Sequence, residues 1–209
     1  MRVLYYVPIV HTPQESGPFR KEVEKYLIQR RGREAISQTE KMVQAYWQLA
    51  NQKIEKEIEK GNLECSNLYI YVDSFPIGME EEFAKIRIEA KIPYWLIIKK
   101  LVDRGAKLIG TEDLKLYQEQ AWEVIQAMRK IDFDSVYLQR VTSQDLEKTY
   151  QLSKLMHLRD VFIARRIEET LPENGQGILF MGRKHKVIEE LDKLEEAGQL
   201  SSPMKVIYF

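Results

Sequence analysis

The sequence predicts an α/β fold, a three-layer sandwich with a mostly parallel central sheet and a long helical segment after the first strand. Three observations carry this reading. Short apolar runs rich in β-branched and aromatic residues recur along the chain, amphipathic stretches with helical spacing separate them, and Gly, Pro or Asn stands at most junctions. Strands separated by helices require crossover connections, which are right-handed and lay helices on both faces of a parallel sheet. The 209 residues suit one domain, 1–209, with 19–60 as a helical insertion or lid.

Each element follows from its own pattern. Val3, Leu4, Tyr5, Tyr6, Val7, Ile9 and Val10 form a nearly unbroken apolar run over 2–10, as in a strand covered on both faces, with Pro8 near its end. Residues 19–60 turn helical. Val23, Tyr26 and Leu27 mark a first helix, and Ile36, Met42, Val43, Tyr46, Trp47, Leu49, Ile54 and Ile58 a longer one, with Gly32 breaking the pair. Gly61-Asn62 ends the second helix after a solvated charge run.

Residues 68–72 read as a second buried strand ending at Asp73-Ser74. Helices follow over 80–91 and from Pro93 to Val102; Gly105 closes the latter, and 106–109 make a short third strand stopped by Gly110-Thr111. The stretches 112–130 and 143–171 are helical by spacing, and the length of the second predicts a kink or two helices. A loop over 172–177 leads to a fourth strand, 178–181, ending at Gly182. An amphipathic helix over 187–197 and a fifth strand over 204–209 complete the order.

Composition narrows the function classes. Lys plus Arg and Asp plus Glu both number 32, so no global positive field recruits nucleic acid. Hydrophobic residues at 44% exclude a disordered chain. The single Cys65 allows neither an internal disulfide nor a cysteine-rich zinc site, and a lone thiol fits the cytoplasm. The apolar run at the amino terminus is too short to span a bilayer and lacks a cleavage site, so no membrane partner is expected. No Gly-rich phosphate loop, Gly-x-Ser-x-Gly or His-Glu-x-x-His motif occurs.

Ligands of open parallel sheets bind outside the carboxyl ends of the strands. Here those ends carry His11, Thr12 and Glu15 after strand one, Asp73 and Ser74 after strand two, Thr111, Glu112 and Asp113 after strand three, and Arg183, Lys184 and His185 after strand four. Two of the three histidines fall at such ends. His11 and His185, with a carboxylate from Glu15 or Glu112, point to a divalent metal ion with a position left open for water. The same groups without metal would serve as general acid and base. Arg183 is placed to hold an anionic substrate group or an oxyanion.

Bland readings stand beside these. Thr111-Glu112-Asp113 also reads as a helix amino terminus, Asp73 reads mainly as a turn residue, and Lys184 as a solvated neighbour. His157, Arg159 and Asp160 look like ordinary helical residues by spacing; Tyr46, Trp47 and Trp122 look like core residues; Cys65 has no close histidine to activate it.

Four segments also resemble a known family. Gly182-Arg183-Lys184-His185 matches a late Gly-x-x-His motif, Arg159-Asp160-Val161-Phe162-Ile163-Ala164 an Arg-Asn-x-x-x-Ala stretch, and Ile109-Gly110-Thr111-Glu112 a middle acidic element. Pro8-Ile9-Val10-His11 stands at the first Gly-x-x-His, with Pro in place of Gly, and Asp160 replaces the usual Asn. The chain thus resembles the TraB/PrgY and Tiki-type proteins, whose wider superfamily includes erythromycin esterases and ChaN-like haem-binding proteins. The resemblance implies metal-dependent hydrolysis, with His11, Glu112 and His185 as metal or acid–base residues and Arg159 supporting the site electrostatically.

The resulting expectation is a metal-dependent hydrolase of an ester or peptide-like bond in a small-molecule or peptide substrate. Glu15, Glu112, Arg159 and Arg183 are its catalytic candidates; His11, Glu112 and His185 are its metal ligands. The terminal strand could pair two copies into a homodimer. The other reading is a non-catalytic module holding a small molecule, haem or nucleotide, with the 19–60 helices as lid or partner surface.

Overall fold

The computed structural model describes residues 1–10, 20–130 and 143–209. Its strands are β1 (Arg2–Ile9), β2 (Leu68–Val72), β3 (Lys107–Ile109), β4 (Gln176–Gly182) and β5 (Met204–Tyr208). They form one sheet in the spatial order β3-β2-β4-β1-β5. Every pairing is parallel, so the expected mostly parallel sheet is wholly parallel in the described residues. The helices are α1 (Arg20–Arg31), α2 (Arg33–Glu59), α3 (Glu80–Glu89), α4 (Pro93–Asp103), α5 (Leu114–Lys130), α6 (Ser143–Thr170) and α7 (Val187–Glu196).

Because successive strand residues point to opposite faces, each central strand feeds two cores. In β4, Ile178 and Phe180 enter one and Leu179 and Met181 the other; in β1, Tyr5, Val7 and Ile9 oppose Leu4. The first face is covered by α2 and α4. Val43, Trp47, Ala50 and Ile54 recur along α2 at helical spacing, and Tyr94, Trp95, Ile97, Ile98 and Leu101 line α4. The segment expected as an insertion or lid therefore contributes one of the layers of the sandwich. The second face is covered by Ile163, Ala164, Ile167 and Leu171 with Val187 and Leu191, from α6, its end and α7. Full burial of each such aliphatic side chain stabilises by about 1.5–3 kcal/mol.

Several local expectations need correction. α6 is one helix from Ser143 to Thr170 rather than two, in keeping with the absence of Pro and Gly within it. α5 begins at Leu114, and its first turn is capped by the Asp113 carboxylate, which accepts the Leu116 N–H at 2.9 Å. Trp47 is core, but Trp122 is 57% exposed and faces out from α5.

Parallel strands send alternate backbone groups to alternate neighbours. Arg2 N–H donates to Pro203 and Val3 N–H to Gly175, so even-numbered positions of β1 face the β5 side. Pro8 is even-numbered and lies beyond the last β1–β5 pair, Tyr6 with Tyr208, at the end of the ladder, where proline is tolerated best. Its carbonyl is taken instead by the Tyr46 hydroxyl of α2 at 2.5 Å.

At the amino-terminal end of β1, the fully buried Arg2 side chain donates to the Ser202 carbonyl at 2.5 Å and pairs with Glu168 at 2.6 Å, joining β1, α6 and the entry to β5. No helix among the described residues is long and apolar enough to cross a membrane.

Candidate functional site at the carboxyl ends of β2 and β4

β2 and β4 are neighbours, and the chain past each holds the other. Asp73, the first residue after β2, is 7% exposed. Its backbone N–H donates to the Phe180 carbonyl at 2.8 Å, and its Oδ2 accepts the Gly182 N–H at 3.3 Å. Ser74 follows in the left-handed region with φ 58°, a strained setting for a side chain with a Cβ. That conformation aims its N–H at Glu112 Oε1, 3.0 Å away, while its hydroxyl donates to Asp73 Oδ1 at 3.1 Å.

The loop after β3 is pinned to the loop after β2. Thr111 N–H donates to Phe75 at 2.8 Å, Ile77 N–H donates to the Glu112 carbonyl at 3.0 Å, and the Thr111 hydroxyl donates to Val72 at 2.5 Å. Thr111 therefore ties strand ends together and does not cap a helix. Gly110 permits the close approach, since a Cβ there would stand 2.8 Å from the Ile77 Cα. Glu112 is thereby fully buried and fixed in position.

Arg159 of α6 meets both carboxylates. Its Nε donates to Glu112 Oε2 at 2.7 Å, and its Nη2 donates to Glu112 Oε1 and to Asp73 Oδ1, the latter at 3.2 Å. Nη1 donates to the Gln120 side-chain oxygen of α5, and the Tyr117 ring centroid lies 6.0 Å from the guanidinium carbon. Burial disfavours the charge on Arg159, but the bond to Glu112 and the charges of Glu112, Asp73 and Asp160 outweigh it and hold the pKa above its ordinary value.

His185 closes the cluster from the turn after β4, where its N–H donates to the Gly182 carbonyl at 3.0 Å. Its side chain is 8% exposed. Nδ1 lies 2.5 Å from Asp160 Oδ1, and Nε2 faces Asp73 Oδ2 at 3.5 Å. Burial alone would lower the histidine pKa; the Asp160 bond and the charges of Asp73 and Asp160 raise it above its ordinary value.

Of the residues expected from the sequence, Glu112, Arg159 and His185 are gathered into this cluster. Arg183 is exposed, one residue past the Gly182 that donates to Asp73, and lies close enough to Tyr6 and Tyr46 to favour their ionised forms. Burial dominates both phenols and raises their pKa values. His11 and Glu15 lie outside the described residues. Two members were not expected in the site. Asp73 was read mainly as a turn residue and Asp160 as a helix charge. A signal for Asp160 was present: Arg159 and Asp160 extend the apolar stripe of Ile163, Ala164 and Ile167 on α6, where a solvated charge has no place.

The donor set bears on the implied metal. Both oxygens of Glu112 accept from Arg159, which makes this carboxylate the guanidinium's main partner. Asp73 Oδ2 and His185 Nε2 are better matched to an ion. Two donors about 2 Å from one tetrahedral ion stand roughly 3.3 Å apart, near the 3.5 Å found here. Asp160 on Nδ1 is the outer carboxylate that orients metal-binding histidines. Among the described residues no group of three or more His, Cys, Asp or Glu is arranged to hold an ion, so a third protein ligand would have to come from elsewhere in the chain.

No family model, curated protein or solved structure matches the chain.

Proposed function

We propose that this cluster is the centre of a metal-dependent hydrolase of an ester or peptide-like bond, in a small-molecule or peptide substrate. The observation that carries the reading is the Asp160–His185–Asp73 alignment, with one ring nitrogen held at 2.5 Å and the other facing a carboxylate oxygen across 3.5 Å. Asp73 and His185 would hold the ion among the described residues, and His11, two residues beyond β1 in sequence, is the candidate for a third ligand. A divalent ion, when bound, supplies a water that ionises near neutral pH and polarises the scissile carbonyl.

The chain's own groups do the rest. Arg159, neutralised by Glu112, holds Asp73 Oδ1 so that Oδ2 points towards His185. Arg183 at the border binds an anionic substrate group or the developing oxyanion. The resemblance to the TraB/PrgY and Tiki-type proteins supports the same chemistry, a cytoplasmic setting agrees with the lone thiol, and the edge strand β5 is the surface through which two copies would pair.

Titration of chelator-treated protein with Zn²⁺ or Mn²⁺ by calorimetry, beside hydrolysis of generic esters and peptides, tests the reading. Binding tighter than about micromolar that is lost in Asp73→Ala and His185→Ala, together with turnover, is expected. Equal ion binding by His185→Ala overturns the metal assignment. Ligand-induced thermal stabilisation without any turnover points instead to a non-catalytic binding module.

A further inference from the structure

We infer that Asp160 is the positioning residue of this site, fixing through one carboxylate which nitrogen of His185 is presented to the centre; the inference rests on the proposed metal-site reading. Asp160 is 2% exposed and sits on α6 beside Arg159. Its Oδ1 lies 2.5 Å from His185 Nδ1, and its Oδ2 accepts the backbone N–H of Lys186 at 2.9 Å. Lys186 is the N-cap residue of α7, so one side chain holds the imidazole ring and the start of the helix that follows it.

The consequence for the ring is specific. An ionised carboxylate only accepts, so in the neutral ring it places hydrogen on Nδ1 and leaves the Nε2 lone pair on the Asp73 side. Both oxygens are needed, because each serves a different donor. An amide at this position has a single acceptor oxygen; its NH₂ group must then confront either Nδ1 or the Lys186 N–H. No such substitution preserves both contacts with hydrogen on Nδ1. Ring orientation is thus set from the buried face of a helix, and the loop after β4 has only to deliver the histidine.

The experiment uses the full chain, ¹⁵N-labelled at histidine and at the backbone, as wild type, Asp160→Ala and Asp160→Asn. In metal-free protein at alkaline pH, wild type is expected to carry the His185 proton on Nδ1, whereas Asp160→Ala shifts it towards Nε2, the form favoured in free imidazole side chains. Zn²⁺ affinity in Asp160→Ala is expected to fall about 10- to 100-fold. Should the alanine variant fail to fold, Asp160→Asn decides: either Nδ1 loses its proton or the Lys186 amide loses its protection from hydrogen exchange. An unchanged tautomer with unchanged Zn²⁺ affinity, or neither change in Asp160→Asn, overturns the inference. If His185→Ala binds Zn²⁺ as tightly as wild type, the metal reading fails, and the tautomer shift remains a separate result.

Discussion

Arg159 and Asp160 are consecutive on α6 and grip opposite halves of one site: the guanidinium takes Glu112 and Asp73, and the carboxylate takes His185. Neighbours on a helix point about 100° apart, so one turn of one buried helix reaches both the loop after β3 and the loop after β4. The elements that it joins are far apart in sequence, and α6 is the common support.

Removing Arg159 should expose this coupling. Arg159→Met leaves Glu112 and Asp73 buried without their cation, and a destabilisation of about 3–5 kcal/mol is expected in urea unfolding. Arg159→Lys keeps the charge but not the two-nitrogen contact with Glu112, and should recover only part of the loss. Stability equal to wild type in the methionine variant would mean that the pair contributes nothing.

The close approach at Gly110 predicts a steric effect. In Gly110→Ala the new methyl would meet the Ile77 Cα at 2.8 Å and Glu80 Oε1 at 2.5 Å, and the backbone atom cannot move aside cheaply. A loss of about 1–3 kcal/mol is expected, with chemical-shift changes spreading to Thr111 and Glu112.

Glu168 gives a pH dependence at the far end of the sheet. Burial pushes its carboxyl up, but the Ser201 hydrogen bonds and Arg2 outweigh burial and hold the pKa below its ordinary 4.5. A depressed carboxylate stabilises the fold above its unfolded pKa, and that stabilisation disappears as pH falls through the folded value. The Tm gap between wild type and Glu168→Gln should therefore be constant above about pH 5 and close as the solution is acidified below 4.5.

Arg183 should behave in the opposite manner to Arg159. It is exposed, with no salt bridge among the described residues, so Arg183→Ala should leave stability within about 0.5 kcal/mol. Under the proposed hydrolase reading, its effect belongs to substrate. An increase in KM of about tenfold for an anionic substrate, and none for its neutral analogue, is expected from the loss of one charge-assisted contact. An equal change for both would remove Arg183 from substrate recognition.

The strands and most helix boundaries were legible because apolar runs and punctuating glycines are local signals: Gly182 ends β4 and Gly110 follows β3 in both sequence and structure. Glu112, Arg159 and His185 were also legible, as charged groups at strand ends or inside a recognisable motif. Asp73 was not. A carboxylate after a strand followed by Ser, Phe and Pro has the composition of any tight turn, and only the pairing of β2 with β4 puts Gly182 and His185 against it. Asp160 is legible only when Arg159-Asp160 is set against the stripe of Ile163, Ala164 and Ile167; taken as an adjacent charge pair it says nothing of which face is buried. Length alone suggests a division of α6 into two helices, where the absence of Pro and Gly is the better guide to its continuity.

The strand order has a consequence for biosynthesis. β4 lies between β1 and β2 and is their shared partner, yet its residues, Gln176–Gly182, leave the ribosome only after both of them. Until then β1 and β2 present unpaired, strongly apolar edges, the form of nascent chain most prone to mispairing and most in need of chaperone shelter. Translation halted before residue 176 would strand both edges permanently, so truncated products should be aggregation-prone and should lack the His185 half of the site.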